Sequence, residues 1–269
     1  MNVKIHQTAI IHPSAKLADG VEIGSGAVIG PEVVIGENTK VGPNCVIEYA
    51  VIGKNNVLTA SAFIGTPPQD FSYKGERTGI IVGDNNIIRE CVSLHRASKP
   101  EFVTKIGSGC MFMATSHVGH DCLVGDGVVM VNCSGLAGHS EVGDKAIISG
   151  MTGVHQFTRI GTMAMAGLGS MIVLDIPPYC RCQGDRAKLV GLNVVGMRRS
   201  GISRESIQSV KDAYKTLFFQ GLTLAEALAR LKASQLSPEA GTFVKFCEGT
   251  KRGITRPRLK LGKPVECDE

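Results

Sequence analysis

Four of the seven histidines in this 269-residue chain occupy similar positions within an 18-residue period, which could bring them together in one catalytic or metal-binding site. Their residue numbers, divided by 18, leave remainders between 9 and 13; they are His117, His120, His139 and His155. Asp121 and Gln156 fall in the same band of remainders. Because an imidazole titrates near neutral pH, a cluster of histidines suits either general-base catalysis or metal binding.

An aliphatic ladder with a spacing of six gives the 18-residue period its meaning. Apolar residues run at this spacing from Ile106 to Ile172, all of them large except Ala166, with a small residue two positions before each rung. A helix repeats every 3.6 residues and an ordinary strand every two, so neither explains a period of six. Three six-residue sides make one coil of a parallel β-helix. The ladder therefore predicts an all-β solenoid with the rungs inside, and we expect the glycines that often follow a rung to turn its corners.

The repeat begins at Ile5 and is interrupted twice, at residues 66–80 and 96–105. These polar stretches predict loops that leave one corner of the coil, where binding sites are common. From Ser203 the apolar period becomes helical. We expect a β-helix domain over residues 1–190 and a C-terminal α-helical domain with a loose basic tail over residues 191–269.

Three helix starts are predicted in the C-terminal part. Ser203 is a candidate N-cap for the first helix, and Thr223 with Glu226 forms the pattern of a capping box for the second. Ser237 followed by Pro238 is typical of the start of a third. In the same part of the chain, residues 181–269 carry 17 Lys and Arg against 9 Asp and Glu. A basic surface of this kind suits phosphates, a nucleotide or an acidic protein.

Composition excludes several classes of protein. The basic residues are not interleaved with aromatic side chains, so no nucleic-acid partner is expected. Nine cysteines, an odd number without a CxxC pair, indicate reduced thiols in the cytosol. The N-terminus enters the repeat directly without a signal peptide, and no apolar run approaches the roughly 18 residues of a membrane span. We expect a cytoplasmic protein with no membrane span.

The histidine band leaves two chemistries open. A zinc site would need three or four ligands, which a trimer could share between chains. Alternatively, one histidine could deprotonate a hydroxyl or amine, with Asp121 holding its tautomer and the N–H of Gly138 stabilising an oxyanion. Adjacent residues on a strand point to opposite faces, which is an argument against contact between His120 and Asp121.

Several motifs resemble the UDP-N-acetylglucosamine 3-O-acyltransferase family, which catalyses the first step of lipid A biosynthesis. They are Pro67-Pro-Gln-Asp70, Ser116-His-Val-Gly-His-Asp-Cys122, Leu136-Ala-Gly-His139, Gly153-Val-His-Gln-Phe157, Asp175-Ile-Pro-Pro-Tyr179 and Asn193-Val-Val-Gly-Met-Arg-Arg199. The resemblance implies a left-handed parallel β-helix, a homotrimer with active sites between subunits, and no cofactor. It also implies a (R)-3-hydroxyacyl donor on acyl carrier protein and the 3-hydroxyl of UDP-N-acetylglucosamine as acceptor.

The resemblance assigns a role to each motif residue. His120 would be the general base, Asp121 would support it, and Gly138 would donate its N–H to the oxyanion. The substrate-binding positions that match are Asp70, His117, His139, His155, Gln156, Asn193 and Arg199. The basic C-terminal part would receive the acidic carrier protein. No metal is implied.

Three positions depart from the family pattern. Ser72 stands where the family often has a substrate-binding lysine, which leaves Lys74 as a substitute and leaves a hydroxyl or an amine open as the acceptor. Val195 stands where an acidic residue is common. Leu168 occupies the acyl-chain ruler position, usually glycine in long-chain enzymes, so we expect a preference for shorter chains.

Three alternatives use the same fold. An N-acyltransferase that acts later in the pathway normally carries an extra N-terminal domain, whereas this repeat starts at Ile5. A zinc-dependent γ-type carbonic anhydrase would use the histidines as ligands but would leave the basic C-terminal part unexplained. A solenoid that only binds a partner would leave the histidine band unexplained.

Overall fold

In the computed structural model, which describes residues 2–258, the ladder residues line the inside of a three-sided solenoid of short strands. The strands of the first half are β1 (Lys4–Ile5), β2 (Ile10–Ile11), β3 (Lys16–Leu17), β4 (Glu22–Ile23), β5 (Val28–Ile29), β6 (Val34–Ile35), β7 (Lys40–Val41), β8 (Val46–Ile47), β9 (Ala50–Ile52), β10 (Val57–Leu58), β11 (Phe63–Thr66), β12 (Ile80–Val82), β13 (Ile87–Ile88) and β14 (Ser93–His95). Those of the second half are β15 (Thr104–Ile106), β16 (Met111–Phe112), β17 (His117–Val118), β18 (Leu123–Val124), β19 (Val129–Met130), β20 (Gly135–Leu136), β21 (Glu141–Val142), β22 (Ile147–Ile148), β23 (Gly153–Val154), β24 (Arg159–Ile160), β25 (Met165–Ala166), β26 (Met171–Ile172), β27 (Cys180–Gln183) and β28 (Lys188–Leu192).

From β1 to β26, consecutive strands lie in different sheets, and each strand pairs with the third strand along the chain. At the end of the solenoid β25 pairs with β27 instead. Sheet A contains 11 strands and runs from β1 to β28, sheet B contains 9 and runs from β2 to β26, and sheet C contains 8 and runs from β3 to β24. Pairing within the solenoid is parallel and in register, so that His117 lies beside Gly135 and Gly135 beside Gly153. Among the strands of residues 2–258, only the terminal pair, β27 with β28, is antiparallel.

The interior confirms the six-residue ladder. Every rung from Ile106 to Ile172 is buried, and so is every small residue two positions before a rung in that stretch. At the N-terminal end Ile5 remains 48% exposed because no coil covers the first one. The apolar period of six thus specifies which face of each strand enters the core.

The glycines that follow the rungs do not turn the corners, so that part of the prediction is wrong. The left-handed conformation falls instead on the third residue after a rung, for example Asp121, His139 and Phe157 at φ 60°, 58° and 62°. Where glycine follows a rung, its small size is used instead because neighbouring coils approach closely there. A Cβ on Gly42 would lie 1.5 Å from the carbonyl oxygen of Thr59.

Two long connections leave the solenoid at one corner. Segment 67–79 joins β11 to β12 and segment 96–103 joins β14 to β15, so both replace the tight turn between sheet B and sheet C. The corresponding predicted loops were residues 66–80 and 96–105. This corner is called the B–C corner below, and it is also the corner that carries the histidine band.

In the described part of the chain, four helices follow the solenoid: α1 (Val194–Arg199), α2 (Arg204–Phe219), α3 (Leu224–Lys232) and α4 (Pro238–Glu248). The predicted N-cap at Ser203, capping box at Thr223 and start at Ser237 are confirmed. Helix α1 and the β27–β28 hairpin were not predicted. Neither follows the six-residue apolar period of the solenoid before it or the helical apolar period that begins at Ser203. The boundary expected after residue 190 falls inside β28.

The segment after Gly253 is not loose in the part of it that the structure describes, so that expectation is wrong. Ile254 and Thr255 are 8% and 2% exposed. Ile254 bridges to Asp175, and Pro257 bridges to Leu189 in β28, so the chain returns to the end of the solenoid. The rest of the expected basic tail, residues 259–269, lies outside the described residues.

Within residues 2–258, the helices are too short or too polar for any of them to cross a lipid bilayer.

Candidate active site

The B–C corner gathers the histidine band on three successive coils. His117 lies in β17, and His120 and Asp121 lie in the turn that follows it. One coil further, Gly138 and His139 occupy the turn after β20, and His155 and Gln156 follow β23 on the next coil. The 18-residue period therefore places these residues together because strands β17, β20 and β23 stack in register.

His120 and Asp121 contact each other directly. His120 Nδ1 lies 2.6 Å from Asp121 Oδ2, and the two side chains are 14% and 1% exposed. The expectation that adjacent residues point apart is wrong here, because both residues lie in a turn and Asp121 adopts a left-handed backbone. With Nδ1 engaged by the carboxylate, Nε2 is the ring nitrogen left for a substrate.

The Asp121 carboxylate receives further hydrogen bonds from segment 96–103. Ser98 donates its backbone N–H to Oδ1 at 3.0 Å and its hydroxyl to Oδ2 at 2.7 Å. His139 Nε2 lies 3.4 Å from Oδ2. Burial acts to raise the pKa of Asp121, but the hydrogen bonds from His120 and Ser98 outweigh it and the pKa lies below its ordinary value. A buried aspartate with this many donors is ionised at neutral pH.

His95 and His117 form a second pair beside the first. Their rings meet edge to face with centroids 4.8 Å apart, and His117 Nδ1 lies 2.7 Å from the hydroxyl of Ser93. Burial and the neighbouring His117 and His120 lower the pKa of His95 to about 4. Burial, followed by the charge of His120, also lowers the pKa of His117. Both rings are therefore neutral at neutral pH.

The low pKa of His95 predicts a pH-dependent part of the stability. As pH falls from about 6.5 to about 4, the unfolded chain takes up a proton at this residue before the folded protein does, so stability present above pH 6.5 is lost. We expect the free energy of unfolding of the wild type to fall by roughly 2–3 kcal/mol more than that of a His95→Gln variant between pH 7 and pH 4.5. Urea unfolding at the two pH values measures this difference.

His12→Gln is the matched control, because His12 is an exposed histidine near the N-terminus. Its ring contacts the hydroxyl of Ser14, two residues away in the same turn. Equal losses in the wild type and the His95 variant would contradict the assignment of a neutral, buried His95.

Gly138 approaches the His120 ring from the next coil. A Cβ on Gly138 would lie 2.6 Å from His120 Nε2 and 2.5 Å from Cε1, so residue 138 must be glycine for the ring to keep its position. Within residues 2–258 the N–H of Gly138 has no hydrogen-bond partner. The equivalent N–H groups of His120 and Gln156 lack one as well, so proximity to the imidazole is what distinguishes Gly138.

An open cleft of about 600 Å³ lies over these residues. Gly135 and Gly153 form its floor on sheet B, between His117 at one end and Met171 at the other. Its walls include His95, His120, His155 and Gln69, the last from segment 67–79. The glycine floor leaves room for an extended ligand alongside the imidazoles.

The three predicted residues of segment 67–79 behave differently. Asp70 lies near enough to His120 for the histidine to lower its pKa, although the hydrogen bond from the Ser72 N–H, at 2.8 Å, is the largest cause. The Ser72 side chain is exposed. The Lys74 ammonium folds back onto the carbonyl oxygen of Phe71 at 3.2 Å.

Asn193 and Arg199 are not brought to His120 within one chain. They line a separate groove over sheet A with Lys145, Met165 and Arg181. Asn193 caps helix α1 by accepting from the N–H of Gly196, and its amide donates to the carbonyl of Met163 at 2.9 Å. Leu168, the expected ruler, is 66% exposed and does not line the cleft.

Sequence reasoning missed His95, Ser98 and Phe102 at this site. His95 follows the rung Leu94 just as His155 follows Val154, so the ladder carried a signal that the interruption at residues 96–105 obscured. The ring of Phe102 meets that of His139 edge to face with centroids 5.6 Å apart, and the ring of Phe157 stacks on His139 at 4.6 Å. No repeat marks Ser98 or Phe102, because both lie in the loop.

His120, Asp121 and His139 also bring one possible metal-ligand atom each within 4.8 Å of one another. However, Asp121 Oδ2 already faces His120 Nδ1, the hydroxyl of Ser98 and His139 Nε2. A zinc ion would need three or four ligand atoms at about 2.0–2.2 Å in place of these contacts. The geometry fits a hydrogen-bond network that orients His120.

Comparison with protein families gives two matches on this chain. Residues 2–36 match a model described as "Bacterial transferase hexapeptide (six repeats)". Residues 175–255 match one described as "Udp N-acetylglucosamine O-acyltransferase; Domain 2". The second match spans the end of the solenoid and the four helices.

Relatives and solved structures extend the similarity over nearly the whole chain. The acyl-[acyl-carrier-protein]–UDP-N-acetylglucosamine O-acyltransferase of Myxococcus xanthus is 48% identical over 256 residues, which cover 94% of this chain and 99% of the relative. The structure of LpxA from Acinetobacter baumannii superposes with a TM-score of 0.91 at 42% identity, covering 94% of this chain and 99% of that one. The UDP-N-acetylglucosamine acyltransferase of Arabidopsis gives 0.78 at 33% identity, covering 94% and 100%. The predicted left-handed parallel β-helix with C-terminal helices is confirmed. The chain belongs to the acyl-[acyl-carrier-protein]–UDP-N-acetylglucosamine O-acyltransferase family of acyltransferases.

Proposed function

We propose that this protein transfers a (R)-3-hydroxyacyl group from acyl carrier protein to the 3-hydroxyl of UDP-N-acetylglucosamine, the first step of lipid A biosynthesis. The observation that carries the proposal is the His120–Asp121 pair beneath an open cleft. The chain that holds it is 48% identical to a relative named acyl-[acyl-carrier-protein]–UDP-N-acetylglucosamine O-acyltransferase. The supporting geometry is an imidazole with Nδ1 on a buried carboxylate and Nε2 facing a neighbouring glycine backbone.

In the proposed reaction, His120 Nε2 takes the proton of the acceptor hydroxyl as its oxygen attacks the thioester carbonyl. Asp121 fixes the tautomer with the proton on Nδ1 and stabilises the imidazolium that forms. The N–H of Gly138 donates to the oxyanion of the tetrahedral intermediate. When the intermediate collapses, the thiolate of the carrier leaves and takes the proton from His120.

Substrate binding is assigned to residues of two grooves. His117, His139, His155, Gln156 and Asp70 surround the reacting atoms at the B–C corner. Asn193 and Arg199 would bind the nucleotide, with the guanidinium on a phosphate. Because their groove lies over sheet A, the proposal requires a homotrimer in which one subunit supplies the histidines and its neighbour supplies α1. Acyl carrier protein would dock on the basic C-terminal part.

The acceptor atom is the least constrained part of the proposal. Ser72 offers no cation at the position where the family often has lysine, and Lys74 is engaged with the carbonyl of Phe71. An amine at C3 of the sugar, as in a 3-amino analogue, is therefore the second candidate acceptor.

The acyl chain is expected to be short because of Leu168. Leu168 is 66% exposed, and its side chain reaches over Gly150. A Cβ placed on Gly150 would lie 3.3 Å from Leu168 Cδ1. Replacing Leu168 by Gly is expected to shift the preferred donor to a longer chain, by about 10-fold in the ratio of kcat/KM values, because two further buried methylenes contribute about 1.6 kcal/mol. Competition between donors of different length measures this ratio, and an unchanged ratio would remove Leu168 as the ruler.

One assay tests the proposed function. Mass spectrometry would follow transfer from a series of 3-hydroxyacyl carrier proteins to UDP-N-acetylglucosamine and to its 3-amino analogue. Transfer to the hydroxyl acceptor supports the proposal, and transfer only to the amine would identify Ser72 as part of a changed acceptor specificity. Absence of transfer to both would reject the acyltransferase function in this form.

A further inference from the structure

We infer that Ser98 is a positioning residue that holds the Asp121 carboxylate against His120 through both its hydroxyl and its backbone N–H. This inference deepens the proposed function and rests on it for its catalytic consequence. Ser98 lies 23 residues before Asp121 and in a different segment, 96–103, which leaves the solenoid at the B–C corner. Nothing in the hexapeptide repeat requires a serine there.

The two contacts from Ser98 occupy both carboxylate oxygens. The backbone N–H reaches Oδ1 at 3.0 Å and the hydroxyl reaches Oδ2 at 2.7 Å, while His120 Nδ1 shares Oδ2 at 2.6 Å. Ser98 is 2% exposed and the Asp121 side chain 1%, so water does not replace a lost donor readily. Asp121 is held on the backbone side as well, because its N–H donates to the hydroxyl of Thr104 at 2.8 Å.

Ser98 can position another residue because its own segment is anchored two residues earlier. The buried guanidinium of Arg96 donates to the carbonyl of Gly65 at 2.7 Å and to Glu48 at 3.1 Å, and it lies over the ring of Tyr49 at 4.6 Å. The same guanidinium donates to the hydroxyl of Tyr73 at 3.0 Å. Arg96 thereby fixes both long segments of the corner to the solenoid wall.

Loss of the Ser98 hydroxyl should make the Asp121 carboxylate more basic. Burial already acts to raise the pKa of Asp121, and the hydrogen bonds from Ser98 are among the contacts that hold it below its ordinary value. The other titratable or charged groups that face this carboxylate are His120, His139, Cys122, Asp70 on segment 67–79 and, behind His120, His117 and His95. A Ser98→Ala substitution leaves all of them in place.

The test compares Ser98→Ala with Ser98→Thr, which restores a hydroxyl, and with Ser134→Ala. Ser134 is an equally buried serine on the next coil whose hydroxyl donates to the carbonyl of Val131 and contacts neither Asp121 nor His120. We expect Ser98→Ala to lower kcat about 10-fold with KM values unchanged. We also expect it to move upward the acidic limb of the pH–rate profile, which reports the coupled His120–Asp121 pair. Ser98→Thr should restore the limb, and Ser134→Ala should leave it unmoved.

A second readout does not depend on acyl transfer. In the free protein, the carbon-13 resonance of the Asp121 carboxyl reports its titration by NMR, and its midpoint should rise in Ser98→Ala and not in Ser134→Ala. An unchanged midpoint overturns the inference, even if kcat falls, because the role of Ser98 would then be structural only. A raised midpoint in a protein that transfers no acyl group would sustain the positioning role and reject the proposed function instead.

Discussion

Replacing His120 by Ala is expected to lower kcat for acyl transfer by about 10³-fold, because the reaction loses its general base. The ring is 14% exposed and sits between the Asp121 carboxylate and the backbone of Gly138, so no other side chain in the cleft can take over its geometry. The neighbouring imidazole of His117 has its Nδ1 at the hydroxyl of Ser93 and lies on the strand rather than in the turn. Single-turnover transfer to UDP-N-acetylglucosamine measures the loss.

His12→Ala serves as the control because it also removes one imidazole, from an exposed turn near the N-terminus. Its kcat should equal that of the wild type. KM values of the His120 variant should stay close to those of the wild type, since the lost contact belongs to the transition state. A variant that keeps more than a tenth of the wild-type kcat would show that another group, or water, is the base.

The core of the solenoid could be predicted from the sequence because one rule applies to every coil. Each side of the coil must bury one large residue and one small one. The buried positions of Val118, Leu136 and Val154 can therefore be predicted from their spacing, without any knowledge of distant contacts. The same arithmetic grouped the histidines, since residues 18 apart stack when no residue is inserted between them.

Local backbone geometry was less accessible. The ladder does not reveal that the third residue after a rung takes the left-handed conformation, because residues as different as Asp121, His139 and Phe157 adopt it. That conformation places the Asp121 carboxylate on His120. The glycines that were expected to turn the corners are instead required by the close approach of neighbouring coils.

The 18-residue spacing does not predict which residues stack where a long loop interrupts a coil. Segment 96–103 changes the number of residues in its coil, so His95 no longer shares a remainder with His155 although both line the cleft. Ser98 reaches Asp121 through tertiary packing that depends on Arg96 and Glu48, and no spacing encodes it. The placement of Asn193 and Arg199 over sheet A likewise follows from the hairpin β27–β28, which has no counterpart in the repeat.

Replacing Gly138 by Ala is expected to lower kcat by about 10²-fold or more while the protein remains folded. The added methyl group would lie within 2.6 Å of His120 Nε2, a distance that real Cβ atoms do not adopt, so the imidazole must rotate away from Asp121 or the turn must shift. Either change separates the base from the N–H that stabilises the oxyanion. The backbone of Gly138 is not in the left-handed region, so alanine brings steric conflict without backbone strain.

Gly241→Ala is the matched control, because a Cβ there meets no atom within 4 Å on helix α4. It should leave kcat unchanged. The Gly138 and His120 substitutions should also be strongly non-additive, since both remove the same alignment of base and oxyanion donor. If the double variant lost the product of the two single losses, Gly138 would act independently of His120, and the shared geometry proposed for them would have to be abandoned.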